Sequence, residues 1–268
     1  MQNAFGLQLL ADVVGQISNA QHLAQQYGHV LSVCLGAGKV PQDDHLEGEL
    51  VTVRTRWLIG VVAAVGYGLL WLGWVGHWSW PAMVDASLLD PAYRYGAAHP
   101  DWVLGWRWVC FIFGPWTFQL VAVVIAVVAL VRRQRRTAIF LMVGVVLSGL
   151  LTELAKDVAQ RSRPLTALAH EPSWSFPSGH ALGTMAGALG LCAVFRLWGV
   201  ARLKLIEVVC AVIVLTIGVG RVMLNVHHPT DVLAGWLLAL MWFLVCLPIL
   251  TSGPATTGPA PTAVRAGT

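Results

Sequence analysis

Six long apolar stretches dominate this sequence and restrict what it can fold into. Each is close to the ~20 residues that an α-helix needs to cross the hydrocarbon core of a bilayer. The stretches are residues 57–75, 109–131, 137–155, 181–200, 205–224 and 232–250. With 57% hydrophobic and only 11% charged residues, the chain has more apolar surface than one soluble core can bury. We therefore predict an all-α, polytopic membrane bundle with six transmembrane helices, the second kinked at Pro115.

The apolar stretches divide the chain into three parts. Residues 51–251 form the predicted six-helix membrane domain. Residues 1–50 lack the pattern of a secretory signal peptide, and we expect a cytoplasmic extension that is helical in part. Residues 252–268 are rich in Pro, Gly, Thr and Ala, a composition that favours a disordered cytoplasmic tail. The aromatic-rich segment 76–108 is predicted to be a loop that forms an interfacial belt or a wall for a lipid tail.

The distribution of basic residues predicts the orientation of the bundle. Lys and Arg concentrate on the cytoplasmic side of membrane proteins. Six crossings with these basic residues inside place both termini in the cytoplasm of a cell-membrane protein. The residues that set this orientation are Arg54, Arg56, Arg132, Arg133, Arg135, Arg136, Arg202 and Lys204. Three polar clusters at the ends of the stretches then share the opposite, non-cytoplasmic face.

The first polar cluster holds two basic residues at the end of the third stretch. Lys156 and Arg163 are seven residues apart, so they share a face if the helix continues between them. Pro164 disfavours helix at Arg163 and ends it. Arg161 falls off that face, and we interpret it as an interfacial anchor. Glu153 is three residues before Lys156 and is positioned either to pair with it or to line a transport pathway.

The second polar cluster is Pro177-Ser178-Gly179-His180, directly before the fourth stretch. Serine at this position is an ordinary helix cap. The same geometry also makes an anion site, because the first backbone N–H groups of a helix are unpaired and the helix dipole is positive there. Ser178 can add a hydroxyl donor, Gly179 allows close approach of the backbone, and His180 can exchange a proton with the anion.

The third polar cluster runs from Arg221 to Asp231. We expect the sixth helix to begin near Pro229, with Asp231 in its first turn and His227 in the turn before it. Asp231 can then accept one ring N–H of His227 and leave a lone pair on the other nitrogen. The alternative is that Asp231 only caps the helix. His228 lacks this spacing to Asp231, and we expect it to be supporting.

Order and spacing of the three clusters resemble the signature of the type-2 phosphatidic acid phosphatase superfamily. That signature is Lys-x6-Arg-Pro, then Pro-Ser-Gly-His, then Ser-Arg-x5-His-x3-Asp. The chain matches every position except Gly220, where the family usually has Ser. The missing hydroxyl removes one supporting contact.

The resemblance implies a metal-independent membrane lipid phosphatase without a cofactor, acting at the outer membrane surface. In the implied roles, Lys156, Arg163, Ser178, Gly179 and Arg221 bind phosphate. His227 attacks phosphorus to give a phosphohistidine, Asp231 orients His227, and His180 protonates the leaving oxygen. The implied substrates are a polyprenyl diphosphate such as undecaprenyl diphosphate, phosphatidylglycerol phosphate or phosphatidic acid, among which the sequence does not choose.

Other functions remain open from the sequence. A phosphotransferase would use the same site, and a lipid-phosphate transporter or flippase would use intramembrane charges as a pathway. A haloperoxidase with vanadate in the phosphate position is disfavoured by the many spans. A zinc site built from the histidines and aspartates is disfavoured by the three nearby cations. The five cysteines are odd in number and lie mostly in apolar stretches, so we interpret them as core. The net charge of +4 requires no nucleic-acid partner, and the oligomeric state is left open.

Overall fold

The computed structural model describes residues 45–251 of the 268-residue chain. Within that range the fold consists of nine α-helices and one π-helical segment, Met142–Val146, and contains no β-strand. The α-helices are α1 (His45–Val75), α2 (Ser79–Ala98), α3 (Pro100–Ile112), α4 (Pro115–Val131), α5 (Arg135–Leu141), α6 (Ser148–Ala159), α7 (Gly179–Leu197), α8 (Leu203–Met223) and α9 (Pro229–Thr251). The expectations for the first 44 residues and for the tail 252–268 lie outside the described residues.

Six helical segments are long and apolar enough to cross a membrane. They are Val53–Val75, Pro100–Val131, Arg135–Ala159, Gly179–Leu197, Leu203–Met223 and Pro229–Thr251. Each overlaps one of the predicted stretches, so the prediction of an all-α bundle with six spans is confirmed. The third span is composite, because α5, the π-helical segment and α6 follow one another along it.

The second span is interrupted at its predicted kink. α3 ends at Ile112, and α4 begins at Pro115. Proline is favoured at the first position of a helix, where its missing N–H costs no hydrogen bond. The kink is therefore a complete break between two helices.

The prediction of a loop at residues 76–108 is wrong, because the structure folds most of it into α2 and the first part of α3. The aromatic content of the segment suggested an interfacial loop, but its small and apolar residues recur at helical spacing. The buried residues of α2 are Pro81, Asp85, Leu89, Ala92 and Gly96. This spacing of three to four residues lines one face of a helix. α2 packs that face against α8 and α9.

The fourth span, α7, is the central helix of the bundle. Of its apolar window 72% is buried, against 17% for the first span. Small residues allow neighbouring helices to approach it closely. A methyl group at Gly183 would lie 2.6 Å from Cβ of Pro115, and one at Gly187 would overlap Cβ of Phe118. α7 is therefore in direct contact with α4, and it also packs against α8 and α9.

Two left-handed residues end the helices that carry the polar clusters. Gln160 has φ 46° and follows α6, and Asn225 has φ 53° and follows α8. Asparagine tolerates this conformation better than most residues. The buried Asn225 amide also accepts a hydrogen bond from Thr166 (2.7 Å) and donates to the carbonyl of Leu89 (3.1 Å). These bonds tie the 160–178 connection and α2 to the end of α8.

Candidate active site

The three polar clusters meet at one end of the bundle. Ser178 N donates to the carbonyl of Asp231 (2.9 Å), which joins the start of α7 to the start of α9. Arg163 Nη1 lies 3.1 Å from His227 Nε2, which joins the 160–178 connection to the α8–α9 turn. The structure thus brings together residues that are up to 75 positions apart in the chain, from Lys156 to Asp231.

His227 lies in the turn before α9, where the sequence placed it. The residue is 1% exposed. Nδ1 lies 3.6 Å from Asp231 Oδ2 and 3.5 Å from Ser175 Oγ, while Nε2 faces the guanidinium of Arg163. A guanidinium only donates hydrogen bonds, so we assign the proton of the neutral ring to Nδ1 and the lone pair to Nε2. A lone pair among cations is what a nucleophile toward phosphate requires.

Burial sets the protonation state of His227. Desolvation lowers the pKa of the His227 ring, and the nearby Asp231 carboxylate offsets only part of that effect, which leaves the pKa at about 4. The guanidinium groups of Arg221 and Arg163 lower this pKa further. The ring is therefore neutral near pH 7 and keeps its lone pair.

Asp231 is completely buried in the first turn of α9 and has several donors around it. Arg161 Nη1 donates to Oδ1 (2.6 Å). Oδ2 accepts from the hydroxyl of Ser175, from the backbone N–H of His228 (2.9 Å) and from the ring of His228, whose Nδ1 is 3.0 Å away. The expectation that His228 lacks the spacing to reach Asp231 is wrong. It is three residues away, and the turn brings its ring nearer to Oδ2 than that of His227.

Lys156 and Arg163 are linked through Ser173 and not through a shared helix face. Lys156 Nζ donates to Ser173 Oγ (2.8 Å) and to Glu153 (2.9 Å), so the expected pairing with Glu153 is present. Arg163 donates to the carbonyls of Ser173 and Val226, at 2.7 Å each. The condition for a shared helix face, a helix that continues from Lys156 to Arg163, is not met, because α6 ends at Ala159.

The start of α7 lies against Lys156. Ser178 is the N-cap residue, and its Oγ accepts from Ala181 N (3.5 Å). A methyl group at Gly179 would lie 3.0 Å from Thr152 Cγ2 and 3.7 Å from Lys156 Nζ. The absence of a side chain at Gly179 therefore lets the N-terminus of α7 approach the ammonium group. His180 follows at the second position of α7 and is partly buried.

Arg221 is buried at the end of α8, where it forms an ion pair with Glu171. Burial raises the pKa of the Glu171 carboxyl, but the adjacent Arg221 guanidinium outweighs this effect and holds the pKa below its usual range. Glu171 and Arg163 also line a cavity of about 390 Å³ that opens beside the site. Glu171 was not predicted as a site residue, because it belongs to none of the three motifs.

The structure also explains the departure from the family pattern at Gly220. A Cβ atom at this position would lie 2.8 Å from Cys110 Sγ and 2.8 Å from Cε3 of Trp106. Both neighbours belong to α3. The space that a serine side chain would use beside Arg221 is thus filled by an indole ring.

The interpretation of Arg161 as an interfacial anchor is wrong. Its side chain turns inward because Gln160 ends α6 in a left-handed conformation. It then forms salt bridges with Asp231 (2.6 Å) and Asp85 (2.7 Å). The signal that could have revealed this is Asp85, a carboxylate between apolar residues, but α2 was not predicted as a helix.

Among the side chains that the structure describes, no group of three or more His, Cys, Asp and Glu residues is arranged to hold a metal ion. The cations of the site are Lys156, Arg163 and Arg221, with His227 and the N-terminus of α7 beside them. Preorganised cations and backbone N–H groups can stabilise charge that develops on phosphate oxygens. The arrangement is therefore suited to anionic phosphate chemistry.

Comparison with known proteins agrees with this chemistry. Residues 137–252 match the family model of the PAP2 superfamily. Phosphatidylglycerophosphatase B of Bacillus subtilis (strain 168) is 37% identical over 101 residues, which are 36% of this chain and 49% of that protein. Undecaprenyl-diphosphatase of Sulfolobus acidocaldarius is 32% identical over 138 residues, 49% of this chain and 64% of that protein. Lipid A 1-phosphatase of Rhizobium johnstonii is 34% identical over 122 residues, 41% of this chain and 46% of that protein. The chain thus spans about half to two thirds of the length of these relatives.

A solved structure has the same fold. The crystal structure of a transmembrane PAP2-type phosphatidylglycerolphosphate phosphatase from Bacillus subtilis superposes with a TM-score of 0.59 at 24% identity and covers 70% of this chain and 94% of that one. The region matched by the family model contains every predicted site residue, from Lys156 to Asp231. The segment that carries the site, residues 137–252, is thus similar to the PAP2 superfamily.

Proposed function

We propose that this protein is an integral membrane lipid phosphatase that removes the terminal phosphate of an amphiphilic lipid phosphate or diphosphate. The observation that carries the proposal is the position of His227, whose Nε2 lone pair faces Arg163 at 3.1 Å while Nδ1 is directed at Asp231. The names of the relatives, two of which act on lipids that the sequence analysis had suggested as substrates, support the same class.

The proposed reaction has two steps. In the first, Nε2 of His227 attacks phosphorus, the bond between phosphorus and the leaving oxygen breaks, and His180 gives that oxygen a proton. Arg163, Arg221 and Lys156 bind the equatorial oxygens together with the N-terminus of α7 around Ser178 and Gly179. In the second step His180 takes a proton from water, the resulting hydroxide attacks phosphorus, and the bond to Nε2 breaks to release phosphate.

Two contacts must change when phosphate binds. Glu171 forms an ion pair with Arg221, and Arg163 donates a hydrogen bond to the Nε2 lone pair of His227. Phosphate oxygens would replace the carboxylate on Arg221 and take the Arg163 donor, which frees Nε2 for attack. The cavity of about 390 Å³ beside Arg163 and Glu171 provides access for the headgroup.

The proposed orientation places this site on the non-cytoplasmic face with both termini in the cytoplasm. The support is the position of the basic connections. Arg132 and Arg133 lie between α4 and α5, and Arg202 lies between α7 and α8, both at the opposite end of these helices from the polar clusters. Excess positive charge marks the cytoplasmic side.

The test is phosphate release by the purified protein in detergent, with a chelator present, from phosphatidylglycerol phosphate, undecaprenyl diphosphate and phosphatidic acid. We expect release from at least one of these lipids, and His227→Ala should abolish it while the melting temperature stays near that of the wild type. The matched control is His99→Ala, because His99 is exposed and its ring interacts with Tyr95, by a hydrogen bond to the carbonyl and by stacking on the ring.

Full activity of His227→Ala would refute the nucleophile assignment. Activity that is lost in chelator and restored by zinc or magnesium would refute the metal-independent mechanism. A transporter needs two compartments, so it would release no phosphate in detergent. A phosphotransferase would form a new phosphate ester when an acceptor alcohol is added.

A further inference from the structure

Arg161 links two buried carboxylates that belong to different helices. Its Nη1 donates to Asp231 Oδ1 (2.6 Å), and its Nη2 donates to Asp85 Oδ2 (2.7 Å). The side chains of Arg161, Asp85 and Asp231 are 7%, 3% and 0% exposed. The planar guanidinium holds its N–H donors in a fixed geometry. It therefore fixes the orientation of the two carboxylates relative to each other.

Asp85 also binds the backbone at the start of α9. Its Oδ1 accepts from Thr230 N (3.0 Å), and its Oδ2 accepts from the Thr230 hydroxyl (2.9 Å). The first N–H groups of a helix have no partner within the helix. Asp85 therefore caps α9 from a different element, one residue before Asp231. Arg161 Nη1 closes the ring with a bond to Thr230 Oγ1 (2.7 Å).

Trp74 covers the outer side of this network. The Arg161 guanidinium carbon lies 5.0 Å from the centre of the Trp74 ring, and the indole N–H donates to the carbonyl of Ala159 (3.1 Å). A ring face over a guanidinium is an attractive contact and excludes water from it. The charges in the network consequently interact in a medium of low polarity, where electrostatic interactions are stronger than in water.

The two oxygens of Asp231 have separate partners because of Arg161. With Oδ1 bound to Arg161, Oδ2 faces both histidines, at 3.6 Å from His227 Nδ1 and 3.0 Å from His228 Nδ1. The hydroxyl of Ser175 contacts Oδ2 and lies 3.5 Å from His227 Nδ1. Rotation of the carboxylate would change which histidine it orients. Arg161 opposes this rotation because it binds the other oxygen, Oδ1.

We propose that Arg161, itself held by Asp85, is a positioning residue that fixes the Asp231 carboxylate so that it orients His227 for attack on phosphorus. The proposal rests on the proposed function, because it takes His227 as the nucleophile. The hydrogen-bond partners of the Arg161 side chain, Asp85, Thr230 and Asp231, are not among the residues assigned to phosphate. Its loss should therefore slow the chemical step and leave substrate binding unchanged.

The test compares kcat and KM for phosphate release in Arg161→Gln, Arg161→Lys and the double variant Asp85→Asn/Arg161→Gln. For Arg161→Gln we expect kcat to fall on the order of 10- to 100-fold, comparable to the loss of a partner that orients a metal-binding histidine, with KM unchanged. Arg161→Lys keeps the charge but on a single donor nitrogen, so the decrease in kcat should be smaller. The double variant keeps the net charge of the network, and it should recover the melting temperature that Arg161→Gln loses while kcat stays low.

A structural ion pair would behave differently. If kcat of the double variant recovers together with its melting temperature, or if kcat is unchanged in all three variants, the positioning role is refuted. The matched control is Arg196→Gln/Glu207→Gln. It removes a partly buried ion pair between α7 and α8, away from the site, in which Arg196 Nη2 lies 2.5 Å from Glu207 Oε1. We expect this control to lower the melting temperature and leave kcat unchanged.

A measurement without turnover separates this inference from the proposed function. The ¹⁵N shifts of His227, assigned by comparison with His227→Gln, report which ring nitrogen carries the proton. We expect the Nδ1–H form in the wild type and a lower share of that form in Arg161→Gln. An unchanged share would contradict the positioning role even if the wild type releases no phosphate from the tested lipids. That failure of release would refute only the proposed function.

Discussion

The protonation of His227 should be visible in the stability of the protein. In the folded state burial lowers the pKa of this ring to about 4, while an unfolded histidine titrates near 6.5. Between these values the unfolded chain binds a proton that the folded chain does not, so stability falls as the pH falls. The full contribution is present above pH ~6.5 and is lost below about 4.

We therefore predict that the wild type loses more stability than His227→Gln when the pH is lowered from 6.5 to 4. A pKa of about 4 in the folded state against about 6.5 in the unfolded state corresponds to a difference on the order of 3 kcal/mol. Thermal unfolding in detergent across this pH range measures the difference. Equal losses in the two proteins would show that His227 is not a depressed, neutral histidine.

The close packing around Gly220 leads to a second prediction. A Cβ atom there would meet Cys110 and the indole of Trp106 at 2.8 Å each. Restoring the residue that the family usually has, with Gly220→Ser, should thus destabilise the protein by about 1–3 kcal/mol, as expected for overpacking. Gly220→Ala tests whether the cause is steric, because it adds the same Cβ without a hydroxyl. A stable Gly220→Ser with higher activity would contradict this explanation.

At the scale of elements, the contact between α4 and α7 depends on small residues. A methyl group at Gly187 would overlap Cβ of Phe118, whereas one at Gly68 in α1 would have no atom within 4 Å. We predict that Gly187→Ala lowers the free energy of unfolding by about 1–3 kcal/mol. Gly68→Ala is the matched control and should be neutral or slightly stabilising, because alanine is the better helix former. Thermal unfolding in detergent checks both, and equal effects would mean that the close approach does not matter.

α2 shows how an element can be misjudged from composition. The tryptophans and tyrosines of segment 76–108 suggested an interfacial loop, yet the buried face of α2 carries Asp85 and Leu89 at a helical spacing of four residues. Both contact the start of α9 or the end of α8, through Thr230 and Asn225. A helix that lies outside the motifs thereby supports two of the turns on which the site is built.

At the scale of the whole molecule, the orientation in the membrane can be tested by labelling. In a variant without native cysteines, we introduce one cysteine at Leu165, which is exposed beside Arg163, or at Arg133, which is exposed between α4 and α5. A membrane-impermeant maleimide added to intact cells should label position 165. Position 133 should react only after the membrane is opened. The reverse pattern would contradict the proposed orientation.

The sequence by itself determined the membrane class, the six spans and the positions of the polar clusters. The length of an apolar stretch and the spacing of charged residues are local properties. A stretch that crosses a bilayer folds as a helix because its backbone polar groups have no water to bond. Even the place of His227 before α9 and of Asp231 in its first turn followed from Pro229. These predictions needed no knowledge of which helices are neighbours.

Only the tertiary structure decided which charged side chains form ion pairs. Arg161 looked like a surface anchor until α2 placed Asp85 beside it, and Arg221 acquired Glu171 from the connection between α6 and α7. His228 reached Asp231 because of the turn that precedes α9. Such pairs join residues that are far apart in the chain or depend on a single turn, and burial favours them only where donor and acceptor meet. The spacing of residues in a sequence carries no information on that meeting.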